Sequence, residues 1–185
     1  MHILTAYASR YGSTREIAEA IARRLRAAGH AIDMRSAGEV AAVGAYDVVV
    51  LGSAIYDGAW ITEAAELARR NIDALAARPV WLFSVGAISS EQRWPLGALA
   101  KQEPKEIAAF LDAIHPRDYH VFAGAVERDR LSFAGRLFFK LLKGRYGDYR
   151  NWQEIAAWAE RIACQLAAGE PAPAGTASGS LVAAR

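Results

Sequence analysis

Ser9, Ser13 and Thr14 gather three hydroxyls around Gly12 in the stretch Tyr7-Ala8-Ser9-Arg10-Tyr11-Gly12-Ser13-Thr14-Arg15-Glu16. A hydroxyl can donate to a phosphate oxygen, and a glycine lets backbone N–H groups approach an anion closely. The stretch contains neither G-x-G-x-x-G nor G-x-x-x-x-G-K-[ST], which argues against a pyrophosphate and against a magnesium nucleotide. A terminal phosphomonoester, with three acceptor oxygens and nearly two negative charges, suits the hydroxyls better. The same residues also satisfy an ordinary capping box, Ser13 with Glu16, that needs no ligand. Both readings stand on the residues alone.

Such chemistry needs elements that aim the donors. His2 to Tyr7 is a short apolar run with aromatic and β-branched members, as a buried strand requires. Beyond the loop, Ile17, Ile21 and Leu25 recur at four-residue spacing opposite Arg15, Glu16, Glu19, Arg23, Arg24 and Arg26, an amphipathic helix closed by Gly29. The loop is therefore a strand-to-helix turn, where free N–H groups and the helix dipole converge on one point.

Ala31 to Arg35 is expected as a second strand and Val48 to Gly52 as a third, the latter a continuous apolar run of the kind that parallel strands buried on both faces need. A second loop, Gly52 to Trp60, carries Ser53, Ala54, Ile55, Tyr56, Asp57 and Gly58. A helix over Ile61 to Asn71 and a strand over Val80 to Val85 follow, and a third loop, Gly86-Ala87-Ile88-Ser89-Ser90, leaves that strand. A helix from Pro104 to about Ala113, a strand over His120 to Ala125 and a last helix capped by Asn151 complete the pattern. From residue 169 onward Pro, Ala, Gly, Ser and Thr dominate, and a disordered tail over 169–185 is expected. Strand-helix alternation gives an α/β fold with a parallel sheet between helix layers, whose ligands lie beyond the carboxyl ends of the strands. The loops after the first, third and fourth strands then meet, and those are the ones with Gly, hydroxyl and aromatic residues.

The bulk numbers narrow the class. At 185 residues and 53% hydrophobic, the chain suits one domain. Cys164 alone excludes an internal disulfide, and four scattered histidines give no metal-ligand spacing. Twenty-two basic residues against 20 acidic leave a net charge of +2, too little for a nucleic-acid footprint. Neither an export leader nor a membrane-spanning run is read, so a cytoplasmic protein is expected.

With Ser9-Arg10-Tyr11-Gly12-Ser13-Thr14 after the first strand, Gly52 to Trp60 after the third and Val85 to Ser90 after the fourth, the chain resembles the flavodoxin family of FMN-binding proteins over residues 1–168. The family loop [ST]-x-T-G-x-T is matched at Ser9, Gly12 and Thr14, with Tyr11 where threonine is commonest. The resemblance implies a flavodoxin-like doubly wound sheet of five parallel strands in the order 2-1-3-4-5, three layers α/β/α. It implies FMN held by Ser9 to Thr14, by Ser53 to Gly58 and by Val85, Gly86, Ala87, Ile88 and Ser89. Tyr56 and Trp60 are the aromatics placed to flank the ring. The third loop lacks the family's usual tyrosine, which leaves one ring face open to a substrate or to Trp94.

Electron-carrying flavodoxins resemble one another in being strongly acidic, and this chain is slightly basic. Phe122 to Ala125, the segment Val126 to Arg145 and Asn151-Trp152 look like the menaquinone-dependent protoporphyrinogen dehydrogenase branch, as do Thr14 to Ala18 and Gly52 to Gly58. Gly144 to Tyr149 is shorter than the branch's loop. An inserted amphipathic segment is read at about 126–149, with Phe133, Ala134, Leu137, Phe138, Leu141 and Leu142 opposite Arg136, Lys140 and Lys143. A basic amphipathic helix can lie on a membrane surface or pack on its own domain, and the residues leave both open. The resemblance favours contact with the inner face of the cell membrane, because a lipid quinone and a porphyrinogen partition there. Trp60, Trp94, Arg128, Arg130 and Arg136 are then substrate-side candidates, the arginines as forks for propionate carboxylates. The implied function is oxidation of protoporphyrinogen IX with menaquinone as acceptor, in haem biosynthesis. The rivals are a flavodoxin-type electron carrier docking on a redox partner protein and an FMN-dependent quinone reductase.

Overall fold

The computed structural model describes residues 1–56, 58–86, 105–126 and 147–169. The sheet is assembled from strands that feed both of its faces. β1 (His2–Ala8), β3 (Val48–Tyr56) and β5 (Val80–Gly86) alternate side chains: Ile3, Val48, Val50, Trp81 and Phe83 face one way, and Leu4, Val49, Leu51 and Leu82 the other. Continuous apolar runs are what such two-sided burial demands.

The first set packs against α1 (Ser13–Ala27) and α5 (Trp152–Ala168) through Ile17, Ile21, Leu25, Ile155, Trp158 and Ile162. The second packs against α2 (Thr62–Arg70), α3 (Ile72–Ala76) and α4 (Lys105–Ile114) through Leu67, Leu75, Ile107 and Phe110. Each large side chain so buried stabilises the fold by about 1.5–3 kcal/mol. β2 (Ala31–Ser36) and β6 (Asp118–Ala123) form the edges, and the parallel path runs β2-β1-β3-β5-β6. With the two-residue β4 (Ala59–Trp60) set aside, that is the expected 2-1-3-4-5 order of a flavodoxin-like α/β/α fold.

Helix ends follow their local chemistry. Gly29, at φ +90, closes α1 with His30 N–H donating to the Leu25 carbonyl and Gly29 N–H to that of Arg26. The Asn151 side chain accepts from the N–H groups of Gln153 and Glu154 to start α5.

Three boundaries differ from expectation. β3 does not stop at Gly52 but runs to Tyr56, because Ser53 and Ala54 still have parallel neighbours in Ala8, Ser84 and Val85. It then turns back as β4, pairing Ile55 with Trp60 and Tyr56 with Ala59. The expected helix over 61–71 is two, because buried Asn71 spends its amide on the Leu67 carbonyl and on Val43 N–H, breaking the helix and tying down the preceding loop. The fifth strand ends at Ala123, and the chain resumes as β7 (Ala125–Val126), antiparallel to β8 (Gly147–Asp148).

Gly52 marks a close approach within the sheet. It lies in register with Phe83, and a Cβ there would fall 1.9 Å from a carbon of that ring. The missing side chain lets Phe83 lie across the strand and meet Phe122 and Trp158 edge-on, at centroid distances of 5.8 and 5.9 Å. Among the described residues, no helix is long and apolar enough to cross a membrane.

Candidate functional site at the carboxyl end of the sheet

β1 delivers the chain into a turn over 9–12 that ends at Gly12, whose φ of +95 is left-handed and which precedes α1 without a side-chain cap. Ser9 Oγ accepts from Gly12 N–H at 3.0 Å, and the Gly12 carbonyl accepts from Glu16 N–H at 3.0 Å. The N–H groups of Ser13, Thr14 and Arg15 have no acceptor among the described residues. Thr14, in the same turn, is 1% exposed. Free N–H groups in a row at a helix start, with the Thr14 side chain beside them, make a donor set suited to an anion.

The capping-box alternative is not what forms. Ser13 is the first helical residue rather than the cap, and its Oγ accepts from Ala125 N–H at 3.1 Å. Glu16 turns away from the cap, toward Arg150, whose Nη1 lies 2.5 Å from its carboxylate.

The second loop uses its polar groups internally. Ser53 is fully buried; its Oγ accepts from Ile61 N–H at 3.0 Å and donates to the Ala54 carbonyl at 2.9 Å, closing the hairpin. Gly58, at φ +77, makes the turn. Trp60, expected at the flavin ring, is 4% exposed: its indole N–H donates to Ser84 Oγ at 2.8 Å and its ring packs on Phe110 at 5.7 Å. Of the two aromatics only Tyr56 stays at the rim. It meets Tyr11 edge-on at 6.1 Å, and the Arg10 guanidinium lies 5.6 Å from its ring centre and 5.8 Å from that of Tyr11. Burial pushes the Tyr56 phenol above its ordinary pKa; Tyr11 adds to the rise and the Arg10 cation opposes it.

A hollow of about 380 Å³ opens between the two loops and the start of α2, lined by Ser9, Arg10, Tyr56, Trp60 and Ile61 with Thr62 and Glu63. In the third loop Val85 is buried and the Gly86 carbonyl accepts from Gly124 N–H at 2.7 Å. Asp57, Ala87, Ile88, Ser89, Trp94, Arg128, Arg130 and Arg136 lie outside the described residues, as does the amphipathic stretch 131–143.

Sequence reasoning gave no site role to Gly124, Ala125 or Arg150. A Cβ on Gly124 would stand 2.9 Å from the Gly86 carbonyl oxygen and 3.5 Å from Ser13 Oγ, so this glycine lets the strand end close on the start of α1. Arg150 binds Asp148 through Nε at 2.8 Å and Nη2 at 2.7 Å, and stacks on Trp152 at 4.6 Å. Its guanidinium holds the Asp148 carboxyl below the ordinary carboxylate value, and Asp148 and Glu16 raise the arginine's own pKa. The only signal in the sequence was the Asp148–Arg150 spacing, which is too common to single out.

A parallel sheet ordered 2-1-3-4-5 between helix layers, with a helix start whose first N–H groups lack acceptors among the described residues at the carboxyl end of its first strand, places the chain among the doubly wound α/β proteins. Residues 4–151 match the family described as flavodoxin domain, and the chain belongs to that family. It is 26% identical over 178 residues to the protoporphyrinogen IX dehydrogenase [quinone] of Escherichia coli strain K12, spanning 88% of this chain and 95% of that protein. Among solved structures it is similar to the Streptococcus pneumonia TIGR4 flavodoxin, with a TM-score of 0.54, 16% identity, 92% of this chain and 100% of that one covered. It is also similar to rubredoxin oxygen:oxidoreductase from Desulfovibrio gigas, with a TM-score of 0.58, 15% identity and 90% of this chain covered; the likeness spans 36% of that longer protein. At those identities the structures speak for the fold alone.

Proposed function

We propose that this protein is an FMN-dependent oxidoreductase that oxidises protoporphyrinogen IX and passes the reducing equivalents to menaquinone. The observation that carries the cofactor reading is the free donor set at the start of α1, the N–H groups of Ser13, Thr14 and Arg15. These would hold the phosphate, with the helix dipole adding favourable charge. FMN, when bound, supplies the acceptance and release of a hydride equivalent. Tyr56 would cover one face of the ring, and Arg10, held against two tyrosines, would keep a positive charge at the rim of the hollow. Trp60 and Ser53 serve by holding the hairpin that presents Tyr56. The substrate reading rests on the similarity to the Escherichia coli dehydrogenase, which spans nearly all of both chains.

The test is anaerobic. The FMN-loaded protein is mixed with protoporphyrinogen IX and then with a menaquinone analogue while the flavin band is followed. Bleaching, then recovery with porphyrin fluorescence appearing, is the expected result. A flavin that binds but never bleaches removes the substrate reading and moves the chain to the electron-carrier class.

A further inference from the structure

Three pieces of chain meet at Gly124. Its N–H donates to the Gly86 carbonyl at 2.7 Å, its carbonyl accepts from Tyr149 N–H at 3.2 Å, and the next N–H, that of Ala125, donates to Ser13 Oγ at 3.1 Å. Just beyond, β7 and β8 pair as the two legs of a stem, Ala125 opposite Asp148 and Val126 opposite Gly147. Arg150 follows the returning leg and binds both Asp148, on the stem, and Glu16, on α1.

Ser13 and Glu16 stand three residues apart and so share one face of the first turn of α1. The structure uses that whole face to dock the stem. The bond from Ala125 occupies a lone pair of Ser13 Oγ and leaves its proton available, because a hydroxyl both accepts and donates. The same first turn carries the free N–H groups of Ser13, Thr14 and Arg15. One short piece of helix is therefore held from the stem side by Ser13 and Glu16, while its donors point into the candidate phosphate site.

Resting on the FMN reading, we infer that Arg150 is a positioning residue for the phosphate site: it locks the β7–β8 stem to the first turn of α1, so that phosphomonoester binding and stem docking stabilise each other. Reciprocity is required of any such coupling, since whatever tightens one equilibrium tightens the other by the same factor. Its size is limited by water. The Arg150 side chain is 11% exposed, but those of Glu16 and Asp148 are 49% and 47% exposed, so the pairs are partly screened.

The experiment compares FMN with riboflavin, which lacks the phosphate, on the full chain by flavin fluorescence quenching. Arg150→Gln is expected to weaken FMN by about five- to tenfold while changing riboflavin affinity by less than about twofold, the lower end of usual coupling factors. Arg150→Lys, which keeps the charge but not the fork, should recover part of the loss. Amide hydrogen exchange supplies the reciprocal readout: FMN, and not riboflavin, should slow exchange at Ala125 and Tyr149 in the wild type, and that difference should vanish in Arg150→Gln. An unchanged FMN-to-riboflavin affinity ratio, whether both ligands weaken or neither does, overturns the inference. Glu16→Gln repeats the comparison if Arg150→Gln does not fold. A wild-type chain that binds neither flavin removes the cofactor reading itself, which is a different failure from binding both without discrimination.

Discussion

The turns after β1 and β3 are made from the same few residue types, Ser, Gly and an aromatic, yet they spend them in opposite ways. After β1 the strand stops, a left-handed glycine swings the chain into a helix, and the N–H groups of Ser13, Thr14 and Arg15 stay free. After β3 the strand continues, so Ser53 and Trp60 fall inside the sheet's own hydrogen bonding and none of their polar groups faces the rim. Composition alone thus does not say whether a loop's donors are free; that depends on whether the secondary structure has already claimed them.

That contrast is open to attack by mutation. The largest expected effect is on stability, from the second loop: Trp60→Ala leaves a cavity against Phe110 and strips Ser84 of a donor, costing about 3–5 kcal/mol in urea unfolding. A Trp60→Ala chain as stable as the wild type would show the hairpin to be no part of the core. Next comes affinity, from the first loop. Ser9→Ala with Thr14→Ala should raise the FMN Kd by roughly 100-fold, as loss of two charge-assisted bonds implies, with less than about 1 kcal/mol lost in stability. A double variant that retains full flavin affinity would refute the phosphate assignment.

The smallest effect tests the stem beside the first loop by pH. Because Arg150 lowers the Asp148 pKa below its ordinary 3.8, the pair's stabilisation is fully present above that value and is lost as pH falls through the lower, folded value. The thermal stability difference between wild type and Asp148→Asn should be flat from neutral pH down to about pH 5 and shrink in stronger acid, and it should stay below about 1 kcal/mol throughout. A difference that grew on acidification would contradict the ion pair.

What could be read from the residues was local. Val48 to Leu51 and the Ile17, Ile21, Leu25 spacing carry their own periodicities, so the strands and helices followed from patterns within each element, while the 2-1-3-4-5 order came from the family resemblance. The turn after β1 was legible for the same reason, since its donors, glycine and helix start are neighbours in sequence. The orientation of Trp60 was not legible, because it is decided by Ser84, 24 residues away, and by Phe110, and no pattern within Gly52 to Trp60 reports on either. Arg150 was invisible because its meaning depends on Glu16, 134 residues earlier. Pairing of this kind is set by topology and appears only once the sheet is assembled.

The closeness of Gly52 to the Phe83 ring has a consequence for how this sequence can vary. Two positions 31 residues apart behave as one heritable character: a side chain at 52 is admissible only if the ring at 83 is given up, and giving it up empties the space shared with Phe122 and Trp158. Drift at either position alone is closed off, so the notch acts as a fixed point about which the rest of that face can be rewritten.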